Sequence, residues 1–147
     1  PLDLYDLLHG VVELWEPVAA ARAVALTLEA PPTGPALMAD REKLHRVLDN
    51  LIKNAIEAID KGPGRVGIQI ALPARNVVSI SVSDTGPGIS DTVKVFRLVE
   101  TTKPDGTGIG LAVVKQIILA HRGTIEVARL EPHGTVFRIE LPCTGGD

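Results

Sequence analysis

Two asparagines four residues apart lie in a stretch of strong helical pattern and are the first candidates for chemistry. Asn50 and Asn54 would project from one face of a helix, one turn apart. Asparagine is a mediocre helix former, so two of them in mid-helix call for a reason. Their amide oxygens suit Mg²⁺, which prefers hard oxygen ligands and takes few from protein when phosphate is present. The pair is equally compatible with an ordinary solvated helix face.

A second candidate is an acid that lies where a strand-like segment meets a glycine turn. Asp84 follows the alternating apolar segment 78–82 and precedes Gly86 and Gly88. An acid at such a place commonly forms an Asx turn. A carboxylate there can also accept a hydrogen bond from an exocyclic amine such as that of adenine. The flanking glycines would let a flat ring approach the bare backbone.

A third candidate is the glycine run that leads into an apolar helical segment, KPDGTGIGLAVVKQIIL at 103–119. Gly106, Gly108 and Gly110 alternate, so a ligand could approach the backbone closely. The first N–H groups of the following helix lack intrahelical acceptors and lie at the positive end of its dipole, which favours phosphate. A plain helix start is the alternative. A nicotinamide-nucleotide site is excluded because the spacing is not G-x-G-x-x-G and no strand precedes the run.

Length and composition limit the class of protein. A chain of 147 residues with 45% hydrophobic residues fits one compact domain with an ample core. The net charge of −3 and the scattered basic residues argue against nucleic acid as a partner. The single cysteine, Cys143, excludes a disulfide framework and suits a reducing compartment, so we expect a cytoplasmic location. No run of about 18 apolar residues occurs, so we expect no membrane contact from this chain.

Hydrophobic periodicity predicts the elements that must position these residues. Helices are predicted at 3–20, 40–60 and about 108–121, and strands at 24–28, 66–72, 78–82, 125–127 and 137–141, with another short extended piece at 36–39. Asp40 is the predicted N-cap of the second helix. Strands in one layer covered by helices predict an α+β two-layer sandwich.

Leucine, valine and alanine at helical spacing predict which helix faces are buried. For the first helix the predicted apolar positions are Leu4, Leu7, Leu8, Val11, Leu14 and Val18. For the second helix they are Leu44, Val47, Leu48, Leu51, Ala55, Ala58 and Ile59. The third helix is apolar on most faces and is expected to be largely buried.

Taken together, the motifs resemble the ATP-binding catalytic domain of two-component sensor histidine kinases, whose superfamily includes DNA gyrase, Hsp90 and MutL. The matching segments are NLIKNAIEA at 50–58, DTGPGI at 84–89, TTK at 101–103, GTGIGL at 106–111 and GTVFRIELP at 134–142. The resemblance covers nearly the whole chain. It implies a Bergerat-type fold with a mixed, mostly antiparallel sheet of about five strands, covered on one face by about three helices. It also implies one catalytic domain over residues 1–142. The end of the chain, 143–147, is expected to form a disordered tail.

The resemblance implies ATP and Mg²⁺ as ligands and a role for each matching residue. Asn54 would coordinate the Mg²⁺ that bridges the phosphates, and Asp84 would bind the adenine amine, with Thr135 helping through a water. Asn50, Asn54 and Lys103 would be the catalytic residues, and residues 90–105 the ATP lid. The implied nucleotide-binding set is Asn50, Lys53, Asn54, Asp84, Gly86, Gly88, Ile89, Thr102, Lys103, Gly106, Thr107, Gly108, Ile109, Gly110, Leu111 and Thr135.

Asn50 distinguishes phosphate transfer from hydrolysis. In the hydrolysing relatives that the motif resembles, a glutamate stands at this position and activates water. An amide cannot act as a general base at neutral pH. The resemblance therefore implies transfer of the γ-phosphate to a histidine on a separate dimerisation domain of the same parent protein, with a response regulator downstream. The alternatives are an ATP-hydrolysing clamp, a serine-directed anti-sigma kinase and a degenerate module that binds only a partner.

The phosphoacceptor histidine is expected outside this chain. The candidates here are His9, His45, His121 and His133. None lies in the acid-flanked helical pattern of the family's dimerisation domain, and the chain opens already in helical period. We therefore expect a catalytic-domain fragment of a longer protein. A membrane tether of that protein would lie in its other segments.

The lid region departs from the family pattern. Phe96 matches the first aromatic position of the family's F box, but Val99 and Glu100 replace the second. Asp105 stands where the family often has glycine and would add a negative charge near the phosphates.

Overall fold

A computed structural model describes residues 2–30, 36–37, 39–59, 63–74, 76–85, 107–129 and 134–143. Its elements in chain order are β1 (Leu2–Asp3), α1 (Leu4–Ala21), β2 (Val24–Glu29), β3 (Ala36–Leu37), α2 (Arg41–Ile59), β4 (Gly64–Ala74), β5 (Val77–Asp84), α3 (Thr107–Ala120), β6 (Thr124–Arg129) and β7 (Thr135–Pro142). The three predicted helices and the five predicted strands of the main sheet are all present.

The main sheet has five strands in the order β2-β4-β5-β7-β6. Strand β2 pairs with β4 in parallel, and the other three pairs are antiparallel. This confirms the expected mixed, mostly antiparallel sheet. The short strands β1 and β3 form a separate antiparallel pair. The sequence indicated the second of these but neither the first nor the pairing.

The helices cover one face of the sheet. The apolar residues of β5 lie opposite those of β7, with Ile80 in register with Ile139 and Val82 with Phe137. On the other face a polar row crosses four strands, composed of Gln69, Ser81, Arg138 and Glu126. Helix α1 packs on β2, α2 on β4 and β5, and α3 on β6. The alternation of apolar and polar residues along each strand therefore assigns one face to the core.

The apolar stripe of α1 turns away from its predicted course in the second half of the helix. Leu14 is 62% exposed and Val18 is 44% exposed, so the prediction that they face the core is wrong. Trp15 and Ala19 pack against the core in their place. Both sets have helical spacing. The orientation of the helix on its neighbours decides between them.

Helix α2 is buried over a wider arc than one stripe predicts. The N–H of Lys43 donates to Oδ1 of Asp40 at 3.1 Å, which confirms Asp40 as the N-cap. Ile52 and Ile56, absent from the predicted core, are fully buried, whereas the predicted core residue Ile59 is only half-buried. The reason is that α2 packs against the sheet and against both of the other helices among the described residues.

The ends of two other elements also differ from the predictions. Leu119 of α3 is 58% exposed, so this helix is buried along one side rather than on most faces. Strand β4 continues to Ala74, and its Leu72 is exposed. Cys143, which the sequence assigned to the tail, is buried, and its N–H donates to the carbonyl of Asn76 at 2.8 Å. The remaining tail, 144–147, lies outside the described residues.

Candidate functional site

The polar face of α2 carries the asparagine pair. Asn50 and Asn54 are half-buried, and Lys53 between them is exposed. The two carboxamides thus lie at the border between the packed side of the helix and its solvated side. This is where a side chain can be held in place by its neighbours and still reach a ligand.

The Asn50 carboxamide is oriented by its own helix. Its Nδ2 group donates to the carbonyl of Arg46, one turn earlier, at 3.0 Å. This bond fixes the orientation of the carboxamide, whose oxygen is the atom that can accept from or coordinate a ligand.

Asn54 lies one turn after Asn50, and no hydrogen bond involves its carboxamide in the part of the chain that the structure describes. The next turn brings Glu57, which is half-buried. Its Oε1 atom has almost no exposed surface and, among the described residues, no hydrogen-bond partner. Amide and carboxylate oxygens are the ligands that Mg²⁺ accepts, so the residues present fit this ion. Its spacing of three from Asn54 places Glu57 on the same helix face, but the sequence alone does not distinguish it from ordinary surface charge.

Asp84 and Thr135 form a buried polar pair at the end of the sheet. Asp84 is the last residue of β5 and Thr135 the first of β7, and the antiparallel register places them directly opposite each other. Each is only 3% exposed. A carboxylate buried so completely is stabilised by hydrogen-bonding partners in folded proteins. The fold thus brings together the two residues that the resemblance assigns to the adenine base.

Thr85 holds the end of β5 in place. Its N–H donates to the carbonyl of Arg65 at 3.2 Å, and its hydroxyl oxygen accepts from the Arg65 N–H at 3.1 Å. These bonds continue the β4–β5 pairing by one residue past Asp84. The backbone of Asp84 is therefore fixed just where the glycine turn begins.

The C-terminal end of α2 lies at the same end of the sheet as Asp84. A Cβ atom added to Gly64, the first residue of β4, would lie 2.6 Å from Cγ2 of Ile59 in α2. Val66, two residues further along β4, is in register with Asp84. Only glycine permits this close approach of the helix to the strand. The C-terminal end of α2 and the buried Asp84–Thr135 pair therefore lie at the same end of the sheet.

Helix α3 begins inside the glycine run, as the sequence predicted. Its backbone is helical from Thr107 onward, which includes Gly108, Ile109, Gly110 and Leu111. The positive end of the helix dipole therefore lies within the glycine motif.

At the other end of α3, Nε2 of His121 accepts a hydrogen bond from the Asp40 N–H at 3.1 Å, and Nδ1 of His121 lies 2.8 Å from the Ile117 carbonyl oxygen. His121 thus joins the end of α3 to the start of α2.

Several predicted site residues remain predictions. The following lie outside the described residues: Gly86, Gly88, Ile89, Thr102, Lys103 and Gly106. Phe96 and the whole predicted lid lie outside them as well.

Within the described ranges, none of the helices is both long enough and apolar enough to span a bilayer.

Comparison with known proteins identifies the family. The sequence profile of the histidine kinase-, DNA gyrase B-, and HSP90-like ATPases matches residues 39–145. The C4-dicarboxylate transport sensor protein DctB of Rhizobium meliloti (strain 1021) is 36% identical over 144 residues, which cover 96% of this chain and 23% of DctB. The sensor histidine kinase ZraS of Escherichia coli (strain K12) is 40% identical over 146 residues, which cover 96% of this chain and 30% of ZraS. The chain thus spans less than a third of the length of these relatives.

Solved structures show the same fold. The nucleotide-free catalytic domain of histidine kinase ThkA superposes with a TM-score of 0.87 at 33% identity, covering 98% of this chain and 95% of that one. Full-length ShkA in complex with AMPPNP superposes with a TM-score of 0.86 at 28% identity, and the match covers 100% of this chain and 32% of the ShkA chain. ThkA in complex with the response regulator TrrA superposes with a TM-score of 0.82 at 30% identity, and the match covers 98% of this chain and 41% of that one. This chain therefore belongs to the histidine kinase-, DNA gyrase B-, and HSP90-like ATPase family, as a catalytic domain of the sensor histidine kinase type.

Proposed function

We propose that this chain binds Mg–ATP and presents the γ-phosphate to a histidine on a separate dimerisation domain of the same parent protein. The observation that carries this proposal is the buried Asp84–Thr135 pair, which lies at the end of the sheet where the C-terminal end of α2, the helix of Asn50 and Asn54, also packs. The Asp84–Thr135 pair suits a base with an exocyclic amine, and the asparagines of α2 suit a metal–phosphate group. A purine nucleoside triphosphate has both groups.

Asp84 is proposed to select adenine. A carboxylate accepts hydrogen bonds and donates none, so it pairs with the exocyclic amine of adenine. Guanine has a carbonyl oxygen at the corresponding ring position. This oxygen and the carboxylate are both hydrogen-bond acceptors, so they cannot pair. Leaving both groups unpaired in a buried site disfavours that base strongly.

The α2 asparagines are proposed to hold the metal. Asn54 would coordinate Mg²⁺ through its amide oxygen, and the exposed Lys53 would contact the phosphates. Bound Mg²⁺ neutralises charge on the phosphate oxygens. Asn50 does not deprotonate water, because an amide is no general base at neutral pH. Bound ATP is therefore held for a nucleophile from outside this domain.

The wider arrangement follows from this proposal. The domain would span residues 1–142, with the lid at about 90–105 and Lys103 near the transferring phosphate. The phosphorylated histidine would pass its phosphoryl group to a response regulator, a type of partner that is present in the ThkA–TrrA complex. Because ATP is the substrate, we expect the domain in the cytoplasm.

Calorimetric titration with Mg–ADP tests the nucleotide site. The wild-type chain should bind, and Asp84→Asn should weaken binding by at least tenfold, because the amide has only one accepting oxygen, without the charge, and its NH₂ group would need an acceptor of its own in a buried place. Glu126→Gln, a matched charge change at an exposed position of β6, should bind like the wild type. Undiminished affinity of the Asp84 variant would refute the assignment of the base.

Incubation with radioactive ATP tests the direction of phosphate transfer. This chain alone should acquire no label and should label the histidine-bearing domain of its parent protein when that domain is added. Robust self-labelling, or rapid steady-state hydrolysis of ATP, would contradict the proposal.

A further inference from the structure

Glu57 carries a hydrogen-bond acceptor that the described part of the fold leaves unused. Its Oε1 atom is buried, and no described residue donates to it. Buried polar atoms in native proteins nearly always have partners, and an unsatisfied one destabilises the fold. An oxygen of this kind on the proposed site face suggests that its partner arrives with the ligand.

The position of Glu57 limits what that partner is. Glu57 follows Asn54 by three residues and Asn50 by seven, so all three lie along one face of α2. Glu57 also lies in the last turn of the helix before Ile59, which abuts the start of β4 near Asp84. Its carboxylate therefore lies on the same helix face as the proposed metal ligand, one turn nearer the C-terminal end of α2.

The chemistry of a carboxylate excludes the phosphate groups of the nucleotide as its partner. An ionised carboxylate accepts hydrogen bonds and donates none, so phosphate oxygens would repel it. Mg²⁺ dehydrates reluctantly and keeps several waters when it is bound through one side chain and phosphates. Those waters are strong donors, and groups that accept from a metal's ligands help to hold the metal in place.

We propose that Glu57 accepts a hydrogen bond from a water bound to the Mg²⁺ of the Mg–nucleotide and thereby positions the ion against Asn54. This inference rests on the proposed function, because it requires that Mg–ATP or Mg–ADP occupies the site. It assigns Glu57 to the metal rather than to the base or the sugar.

The test compares nucleotide affinity with and without the metal. ADP is titrated calorimetrically into wild type and Glu57→Ala, once with Mg²⁺ and once with EDTA. Alanine removes the acceptor and favours the helix, so folding should be retained. Glu57→Ala should weaken Mg–ADP binding about tenfold, as losses of groups that hold a metal's ligands typically do, and leave ADP binding in EDTA unchanged. Glu57→Gln should lie between the two, since its amide oxygen still accepts.

The controls separate the possible outcomes. Glu13→Ala removes the same charge at an exposed position of α1 and should leave both affinities unchanged. Equal weakening with and without Mg²⁺ would place Glu57 on the adenosine and overturn the inference, as would unchanged affinity in both titrations. A wild-type chain that binds ADP in neither condition would overturn the proposed function itself. Thermal melts without nucleotide should show Glu57→Ala at least as stable as wild type, because an unsatisfied buried oxygen is removed.

Discussion

Asp49, the residue before Asn50, joins two helices through its carboxylate. The indole Nε1–H of Trp15 in α1 donates to Asp49 Oδ1 at 2.7 Å, and Nδ1 of His45 lies 2.9 Å from Asp49 Oδ2. All three side chains are half-buried. Because Asp49 is held on the side of α1, the rotation of α2 about its axis is fixed. The neighbouring Asn50 and, one turn later, Asn54 are thereby held at the half-buried border of α2.

Replacing the indole tests this residue-scale contact. Trp15→Phe keeps most of the ring volume but loses a hydrogen bond to a charged group. The free energy of unfolding should fall by about 1–2 kcal/mol, which is the usual range for such a bond in a partly exposed place. Urea unfolding followed by circular dichroism measures the change, since Trp15 is the only tryptophan.

Leu14→Ala is the matched control on the same helix. Leu14 is 62% exposed, so its truncation should change stability by less than about 0.5 kcal/mol. A larger loss for Leu14→Ala than for Trp15→Phe would show that the predicted stripe, rather than the observed one, faces the core.

At the scale of elements, the turn from α3 to β6 decides how the third helix lies on the sheet. The Gly123 N–H donates back to the Ile118 carbonyl at 2.9 Å, and Arg122 before it has a φ of 63°. This is the hydrogen bond of a Schellman helix end, with arginine in the left-handed position that glycine usually takes. Gly123 itself is buried directly against β7.

Two glycine-to-alanine substitutions should shift stability in opposite directions. A Cβ at Gly123 would lie 2.5 Å from the Glu140 carbonyl oxygen and 2.6 Å from Cδ2 of Leu141. Gly123→Ala should therefore destabilise by about 1–3 kcal/mol, as overpacking does. Gly10→Ala lies inside α1 with nothing within 4 Å of the new atom. It should stabilise by about 0.5–1 kcal/mol through helix propensity. Thermal melts of the two variants test this, and shifts of the same sign would contradict it.

At the scale of the whole molecule, the proposed site draws on both layers of the fold. The α2 asparagines belong to the helix layer, and Asp84 and Thr135 lie at the end of the sheet, so a ligand that contacts both would bind the folded state alone. Ligand binding must then be linked to global stability.

Saturation with Mg–ADP should stabilise the domain against unfolding. When its free concentration is about 100 times the Kd, a ligand that binds only the folded chain raises the free energy of unfolding by about 2.7 kcal/mol. Denaturant titrations at fixed ligand concentration should show this rise in the wild type and its loss in Asp84→Asn at the same concentration. An equal rise in both proteins would place the ligand elsewhere.

Much of the fold was predictable because its signals are local. Alternation along the strands, the Asp40 cap and the spacing of Asn50 and Asn54 each depend on residues a few positions apart. Where prediction failed, the decisive contacts were between elements. Ile52 is buried because α2 has neighbours on three sides, and Leu14 is exposed because Trp15 packs against the core and bonds to Asp49 in its stead. Periodicity states which residues share a helix face but not how much of that face is covered.

The sequence by itself determined the order of the motifs, the elements that carry them and, through their resemblance, the family and the nucleotide. Only the tertiary structure placed Asp84 opposite Thr135, brought the end of α2 to that edge of the sheet, and buried the Glu57 oxygen without a partner among the described residues. The physical reason is the distance along the chain over which each effect acts. Backbone propensity and side-chain spacing act within one element, whereas strand order, register and helix packing bring together residues that are far apart in the sequence. The buried Asp84–Thr135 pair and the buried Glu57 oxygen both result from such long-range contacts.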